Sequence, residues 1–371
     1  MKFKLLATIL AIALATGIKA GPTIPVSGHV INADDPGIQY VGRVDFTNPQ
    51  RPAFNFPGTE IRANFEGTSL KMIARPMSGY FMVSIDSCEA FKVSLNCPAD
   101  SVVTLATALR DGRHSVRIAY AMEGLDTHPE FWGFVLDNEC DILRPTALPD
   151  RRIEFIGNSI TCAYGVESTE KTAPFEYATE NHFYSYATRV SDALSAIHTS
   201  ISRSGIGVYR NYGDARTGSR DCMPQEFRNT LFADSTRHWD YSRWQPDVVC
   251  INLGTNDFST DNYDASLYEQ AYRKFLAQVR GVYPKAKIII LSGPMLGEKE
   301  NSIEKAVLDK LQKESRKHGD KNVYRFDFTP QTGDLGYGAS YHPSYRQQQK
   351  IADELTPFIS SLTGWQQNVG K

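Results

Sequence analysis

The sequence predicts an α/β protein in which a three-layer α/β/α domain with a parallel sheet follows an all-β sandwich domain. Two observations predict this arrangement. Between about residues 28 and 141, short alternating segments are separated by Gly, Pro, Asn and Asp, and no long helical pattern interrupts them. Further along, apolar runs of strand length alternate with amphipathic segments of helical period.

The first part of the chain has the period-two alternation of half-buried antiparallel strands. One face of such a strand packs into a core and the other meets water, so apolar and polar residues alternate along it. The clearest predicted strands cover residues 39–46, 60–67, 80–86 and 114–120. Turn residues at this spacing favour two antiparallel sheets packed as a sandwich.

The later part of the chain has the pattern of a parallel sheet covered by helices on both faces. Helices are predicted over 183–194 and 267–282, and a C-terminal helical stretch contains Ile351, Leu355 and Phe358. Five apolar runs have the length of buried strands and cover 153–156, 197–201, 248–253, 287–291 and 323–326.

The boundary between the two domains is predicted in the polar stretch 143–150, which contains two prolines. The chain has 371 residues, which is more than one core usually supports. We therefore expect a sandwich domain over residues 21–147 and an α/β/α domain over 148–371.

The N-terminus, residues 1–20, has the pattern of a cleavable export signal. A basic start precedes a short apolar run over 5–14, and small residues lead to Ala20. The apolar run is short for a membrane span, although an uncleaved anchor is the alternative interpretation. We expect an exported protein, either periplasmic or secreted, without a membrane anchor after the signal is removed.

The charge balance gives no electrostatic basis for binding a nucleic acid or an anionic membrane. The 40 Lys and Arg residues oppose 42 Asp and Glu residues, and the formal net charge is −2. A neutral partner such as a glycan fits this balance better. We expect the protein to be a monomer.

The six cysteines all follow the predicted export signal. Cys88 and Cys97 flank a segment typical of a hairpin, so a local disulfide and two free thiols are both open. Cys250 lies in an apolar run and is expected to be a buried thiol. No Cys-x-x-Cys pair occurs, which disfavours a structural zinc site of that type.

Four polar segments lie at or near the carboxyl ends of predicted strands, where open α/β sheets bind ligands. Taken alone, Ser159 could be a helix N-cap, Asn256 an Asx-turn residue and His342 a packing residue. Together, the four favour a nucleophilic serine, donors for an oxyanion and a histidine base. The segments are Gly157-Asn158-Ser159-Ile160-Thr161, residues 202–207, Gly254-Thr255-Asn256-Asp257 and Tyr341-His342-Pro343-Ser344.

These segments resemble the blocks of the SGNH, or GDSL-type, hydrolase superfamily. The resemblance implies that Ser159 is a nucleophile and that His342 is its base. It also implies that the oxyanion is bound by the backbone N–H groups of Ser159 and Gly205 and by the side-chain amide of Asn256. Gly207 is the rival for the glycine role. No metal ion or organic cofactor is implied.

Segments of the first domain narrow the resemblance. Residues 40–43, 65–70, 80–86 and 131–137 are similar to the first domain of carbohydrate esterase family 2, in which a jelly roll precedes an SGNH domain. This family implies removal of O-acetyl groups from plant polysaccharides or oligosaccharides such as xylan and glucomannan, as by an acetylxylan esterase. The alternatives are a lipase or thioesterase acting on other acyl esters, and a non-catalytic glycan-binding protein.

One position departs from the superfamily pattern. The usual Asp three residues before the histidine is replaced by Ala339. A backbone carbonyl could hold the proton of His342 on Nδ1 instead, and some members of the resembled family work in this way, so we predict a Ser–His dyad. Asp334 and Glu167, from nearby loops, are the alternative orienting groups.

Side chains in the loops around these segments are candidate substrate contacts, with loop packing as the alternative for each. Met295 is the candidate for the acyl side. The sandwich could carry a carbohydrate site of its own or form one wall of the cleft, and we expect the wall because the linker is short and contains proline. The candidate rings for stacking on a sugar are Tyr164, Tyr209, Phe258, Tyr337 and Tyr341.

Overall fold

The computed structural model describes residues 26–368, so the predicted export signal lies outside the described residues. In the described range, no helix is both long and apolar enough to cross a membrane. Ten strands precede residue 150: β1 (His29–Asn32), β2 (Gln39–Val41), β3 (Glu60–Glu66), β4 (Leu70–Ala74), β5 (Gly79–Ile85), β6 (Phe91–Leu95), β7 (Val102–Ala106), β8 (Arg113–Tyr120), β9 (Phe131–Leu136) and β10 (Ile142–Leu143).

These ten strands form two antiparallel sheets, which confirms the predicted sandwich. One sheet has the order β1-β9-β4-β7, and the other has the order β10-β3-β8-β5-β6 with β2 also paired to β3. Alternation sets the buried face, since Ile61, Ala63 and Phe65 of β3 are buried while the residues between them are half-buried. The strand predicted over 39–46 ends at Val41, because Gly42 turns the chain with a φ of 118°.

The rest of the described chain alternates strands and helices, as predicted. The strands are β11 (Arg152–Gly157), β12 (Ile197–Ser202), β13 (Val248–Asn252), β14 (Lys287–Ser292) and β15 (Val323–Asp327). The helices are α1 (Ser159–Cys162), α2 (Tyr186–Ala193), α3 (Met223–Glu226), α4 (Ala265–Val282), α5 (Glu298–Lys317) and α6 (Tyr345–Thr363). All strand pairs in this sheet are parallel, in the order β12-β11-β13-β14-β15.

Helices cover both faces of the parallel sheet, as expected. On one face, Tyr272 of α4 and Leu308 of α5 pack with Ile251 of β13. On the other, residues of α2 and α6 pack with Cys250, which is fully buried as predicted. Helix α5 had no counterpart among the sequence predictions, because charged residues dominate it and its buried face is narrow. The domain boundary placed between residues 147 and 148 stays a prediction.

The structure does not join Cys88 and Cys97, and both are exposed free thiols. Cys88 lies beside the turn between β5 and β6, whereas Cys97 follows the far end of β6. The five residues of β6 span roughly 16 Å at about 3.3 Å per residue, which is well beyond the reach of a disulfide. The disulfide interpretation is therefore wrong for this structure.

Buried polar contacts join the sandwich to the α/β/α part. The Arg43 guanidinium, almost fully buried, donates to the backbone carbonyls of Phe227 at 2.7 Å and Asn229 at 2.8 Å. The Asn55 side chain accepts from the backbone N–H of Phe232 at 2.7 Å and donates to its carbonyl at 3.0 Å. Four rings surround the Arg43 guanidinium, those of Phe56, Phe227, Trp239 and Tyr241.

We predict that Arg43→Met lowers the free energy of unfolding by roughly 3 kcal/mol or more. Two buried carbonyls would lose a charged donor, and such hydrogen bonds contribute about 1.5–3 kcal/mol each. Urea unfolding followed by tryptophan fluorescence measures the change. Arg113→Met is the matched control, because the Arg113 side chain is 81% exposed. This substitution should change the free energy of unfolding by less than about 0.5 kcal/mol. Equal effects of the two variants would contradict the prediction.

Candidate active site

The strand order brings three of the four polar segments to one place. The chain reverses direction across the sheet between β11 and β13, and ligands bind at such switch points beyond the carboxyl ends of the strands. Ser159 follows β11, Gly205 follows β12 and Asn256 follows β13. His342 arrives from the loop before α6, and all four residues line one cleft of about 690 Å³.

Ser159 sits on a tight turn between β11 and the short helix α1. Asn158 is the N-cap of this helix and its side-chain oxygen accepts from the Ile160 backbone N–H at 3.0 Å, so Ser159 is not the cap. A Cβ at Gly157 would lie 2.1 Å from the Thr161 hydroxyl, so the turn requires glycine there. The Ser159 hydroxyl is therefore left to face the cleft.

The structure places His342 within hydrogen-bond distance of Ser159. The Nε2 atom lies 2.8 Å from the Ser159 Oγ, and Nδ1 lies 3.1 Å from the backbone carbonyl oxygen of Ala339. A carbonyl can only accept, so Nδ1 carries the proton and Nε2 is free to accept from the serine hydroxyl. This is the tautomer that a general base needs.

A strained turn and a stacked ring hold the imidazole in place. Ser340 and Tyr341 both have positive φ, 48° and 60°, and this left-handed turn brings the Ala339 carbonyl back to His342. The Tyr164 ring stacks on the imidazole with centroids 4.0 Å apart and planes inclined by 23°. Tyr164 lines the cleft and packs against the His342 imidazole, and a sugar contact at its ring stays a prediction.

No carboxylate from the predicted alternatives reaches His342. Asp334 is exposed and accepts from the Thr332 hydroxyl at 2.8 Å. Glu167 pairs with Lys92 and accepts from the Asn181 amide at 2.8 Å. Ala339 itself is fully buried against Gly165, where an added Cβ would lie 2.3 Å from that of Ala339, so position 165 requires glycine.

The setting of His342 keeps its imidazole neutral. Burial lowers the pKa of His342 from 6.5 to about 4, and the hydrogen bond to the Ala339 carbonyl offsets only part of that effect. Within residues 26–368, no acidic side chain pairs with the His342 imidazole. At neutral pH the ring is therefore unprotonated on Nε2.

Three potential oxyanion donors face the same cleft. The Asn256 amide nitrogen donates to the Ile206 carbonyl at 2.8 Å, which leaves its second N–H for a ligand. Gly205 has a φ of 77° and open space where a Cβ would lie. Within residues 26–368, the backbone N–H groups of Ser159 and Gly205 donate to no protein acceptor. These are the donors that the resemblance implies.

Gly207, the rival glycine, has a different task. Its N–H donates to the Asn211 side chain at 3.1 Å, and it does not line the cleft. A Cβ at Gly207 would lie 2.7 Å from the buried Asp257 carboxylate. That carboxylate accepts from the backbone N–H groups of the next three residues, Val208, Tyr209 and Arg210. Asp257 therefore fastens the glycine loop to the loop of Asn256, a role that the sequence predictions missed.

The predicted substrate contacts divide into those that line the cleft and those that do not. Met295 and Phe258 line it, although Phe258 is 98% buried and offers little surface. Tyr209 is corrected to a core residue, because it is buried and its hydroxyl accepts from the Asp264 N–H at 2.7 Å.

Two exposed rings lie near the cleft. Tyr341 is exposed and packs against Tyr337, and neither residue lines the cleft. A sugar contact at Tyr337 or Tyr341 stays a prediction. Tyr212 was missed by the sequence predictions, although it is 66% exposed and lines the cleft. Its position a few residues after the Gly205 block was the available signal.

The sandwich does not form a wall of the cleft, contrary to expectation. Among the described residues, every one that lines the cleft lies between Ser159 and His342. The sandwich instead contacts a loop of the site through Glu123, which is buried and does not line the cleft. The Glu123 carboxylate accepts from the backbone N–H of Ser204 at 2.5 Å.

Glu123 also belongs to a buried group that could hold a metal ion. Atoms of Glu123, Cys162 and Glu180 capable of ligating a metal lie within 4.8 Å of one another. Burial raises the pKa of Glu123, and burial together with the Glu123 charge raises the pKa of Glu180 well above its usual range. Two carboxyl groups so close together do not both ionise. A proton on Glu180 removes the charge repulsion between the two groups. That the enzyme needs no metal stays a prediction.

Comparison with known proteins agrees with both halves of the structure. Residues 40–145 match the carbohydrate esterase 2 N-terminal family model, and residues 155–350 match the GDSL-like lipase/acylhydrolase family. The cellulase/esterase CelE of Acetivibrio thermocellus is 35% identical over 90% of this chain, and the chain spans 40% of that relative's length. An acetylxylan esterase/glucomannan deacetylase of Cellvibrio japonicus is 27% identical, with 91% of this chain and 92% of the relative covered.

A solved structure gives the same result. A family two carbohydrate esterase from Clostridium thermocellum, in complex with cellohexaose, is 34% identical and superposes with a TM-score of 0.83. The match covers 89% of this chain and all of that chain. The protein therefore belongs to the GDSL-like lipase/acylhydrolase family and, within it, to the family two carbohydrate esterases.

Proposed function

We propose that this protein removes O-acetyl groups from plant polysaccharides or oligosaccharides, such as acetylated xylan and glucomannan, through an acyl-enzyme on Ser159. The observation that carries the proposal is the 2.8 Å contact between the Ser159 hydroxyl and an imidazole of the correct tautomer. The name of the Cellvibrio japonicus relative, acetylxylan esterase/glucomannan deacetylase, supports the substrate class.

In the first half of the reaction, the Ser159 oxygen attacks the acetyl carbonyl carbon and its proton moves to Nε2 of His342. The tetrahedral intermediate collapses when the carbon–oxygen bond to the sugar breaks. The imidazolium then returns the proton to the departing sugar oxygen. The products are a free sugar hydroxyl and an acetyl ester on Ser159.

In the second half, His342 removes a proton from water as water attacks the acetyl-serine. Acetate leaves and the serine oxygen recovers the proton from the imidazolium. In both halves the negative charge on the carbonyl oxygen is stabilised by the N–H groups of Ser159 and Gly205 and by the amide of Asn256. All three donors belong to the protein, so they are in place before charge develops.

The cleft lining favours a short acyl group on a polar alcohol. Beside the Ser–His pair, most of the lining side chains are polar, with Met295, Leu296 and Phe258 as the apolar exceptions. A lipase or thioesterase would need a long apolar channel for its acyl chain, whereas ten of the other lining side chains carry polar groups. The exposed ring of Tyr212 provides a face on which a sugar can stack.

The proposal includes the predicted export of the chain. Acetylated plant polysaccharides are outside the cell that degrades them, and an export signal at residues 1–20 would bring the esterase to a periplasmic or extracellular substrate.

We predict that Ser159→Ala abolishes the release of acetate from acetylated xylan and glucomannan. Without the hydroxyl no acyl-enzyme can form, and turnover should fall by at least roughly a thousandfold. Acetate is measured enzymatically, with acetyl and butyryl esters of the same sugar compared in parallel. Faster turnover of the butyryl ester would favour the lipase alternative. Equal acetate release by Ser159→Ala would contradict the proposal, and no release by the unaltered enzyme would favour a glycan-binding protein.

We predict an unusually acidic lower limb in the pH profile of kcat/KM. Activity needs neutral His342, so kcat/KM rises with pH through the pKa of about 4 and is level by about pH 6. Acetate release is measured in strongly buffered solutions, so that the acid produced does not change the pH. Intrinsic fluorescence shows that the protein stays folded at each pH. A limb centred near 6.5 or higher would mean that a negative group stabilises the imidazolium.

A further inference from the structure

The sandwich domain contributes one charged group to the back of the active site. Glu123 follows β8 in the sandwich and is 7% exposed. Its carboxylate oxygen Oε2 accepts from the Ser204 backbone N–H at 2.5 Å. The Cys162 thiol, three residues after Ser159 in α1, lies 3.5 Å from the same oxygen and 3.3 Å from the Ser202 hydroxyl oxygen. Glu123 therefore contacts both the helix of the nucleophile and the loop of Gly205.

The position of this hydrogen bond matters because of what lies next to it. Gly205, the residue after Ser204, lines the cleft, and within residues 26–368 its N–H donates to no protein acceptor. Glycine at a φ of 77° gives the loop no stiffness of its own. The Gly205 carbonyl is fixed by the backbone N–H of Tyr212 at 2.8 Å. Glu123 fixes the peptide on the other side. The Gly205 N–H thus lies between two restrained peptide groups.

We propose that Glu123 is a positioning residue for the oxyanion hole, which aligns the Gly205 N–H by accepting the N–H of Ser204. This proposal rests on the proposed acyl-transfer function. Glu123 touches no substrate atom, since it does not line the cleft. Its action is through the loop, so the sandwich domain takes part in catalysis without lining the cleft.

Two substitutions separate the acceptor from the charge. Glu123→Gln removes the charge and keeps an oxygen that can accept from Ser204, while its NH₂ group can donate to the Glu180 carboxyl. Glu123→Met has similar length and lacks any acceptor, so the Ser204 N–H would be buried without a partner. A difference between the two variants therefore reports the acceptor.

The expected result is a loss confined to transition-state stabilisation. Removing an oxyanion donor outright costs roughly a hundred- to a thousandfold in kcat, so a misaligned one should cost about ten- to a hundredfold. We expect this loss of kcat in Glu123→Met, with KM within about twofold of the original. Glu123→Gln should keep kcat within about threefold. The affinity of a boronic acid that forms a tetrahedral adduct on Ser159 should fall in parallel with kcat.

A control variant tests for a general effect of domain contact. Asn55→Ala removes two hydrogen bonds between the domains, and the Asn55 side chain makes no hydrogen bond to Ser204 or Gly205. It should lower the melting temperature without changing kcat at a temperature well below melting. If Glu123→Met behaves like Asn55→Ala, or if Glu123→Gln loses as much kcat as Glu123→Met, the positioning role is wrong.

The outcome is distinguishable from failure of the proposed function. If the Ser159→Ala variant retains activity, the acyl-enzyme on Ser159 is wrong whatever the Glu123 variants do. If Ser159→Ala is inactive and both Glu123 variants keep full kcat and boronate affinity, only the role of Glu123 is overturned. If Glu123→Met does not fold, Glu123→Ala and Glu123→Leu provide the same loss of acceptor with shorter side chains.

Discussion

The hydrogen bond between the Nδ1 proton of His342 and the main-chain carbonyl of Ala339 determines how the rest of the site can work. A neutral carbonyl fixes the tautomer as a carboxylate would, yet it stabilises the imidazolium less. In the proposed mechanism, His342 therefore acts as a base from a neutral ring, and burial lowers the pKa of that ring. Stacking by Tyr164 and the left-handed turn at Ser340 keep the ring aligned where an ion pair is missing.

Within residues 26–368 no carboxylate pairs with His342, so in the proposed mechanism the oxyanion donors supply more of the transition-state stabilisation. They lie on two loops that are joined to each other, through the Asn256 amide on the Ile206 carbonyl and through the Asp257 carboxylate on three backbone N–H groups. Burial raises the pKa of Asp257 to about 6, and the three N–H donors counter that rise. The sandwich domain adds Glu123 behind the same loop.

Short-range patterns predicted the fold and the four polar segments, because strand alternation and strand-end motifs depend only on residues that are close together in the sequence. Contacts between distant residues were not predictable in this way. Glu123 meets Ser204 across 81 positions, and no local pattern marks a glutamate that will be buried by domain packing. Tyr209 was misassigned for the same reason. The local sequence around an aromatic residue in a loop does not show whether its ring faces the cleft or the core. Helix α5 was missed because many charged residues lie between the few residues of its apolar face.

The most direct test of this account is the protonation state of His342 in solution. In protein carrying ¹⁵N-labelled histidine, nitrogen–proton couplings show which ring nitrogen holds the proton, and His342→Gln identifies the signal. We expect a neutral ring with its proton on Nδ1 at neutral pH, and we expect this ring to titrate near pH 4. A ring protonated on Nε2, or an imidazolium at neutral pH, would contradict the account.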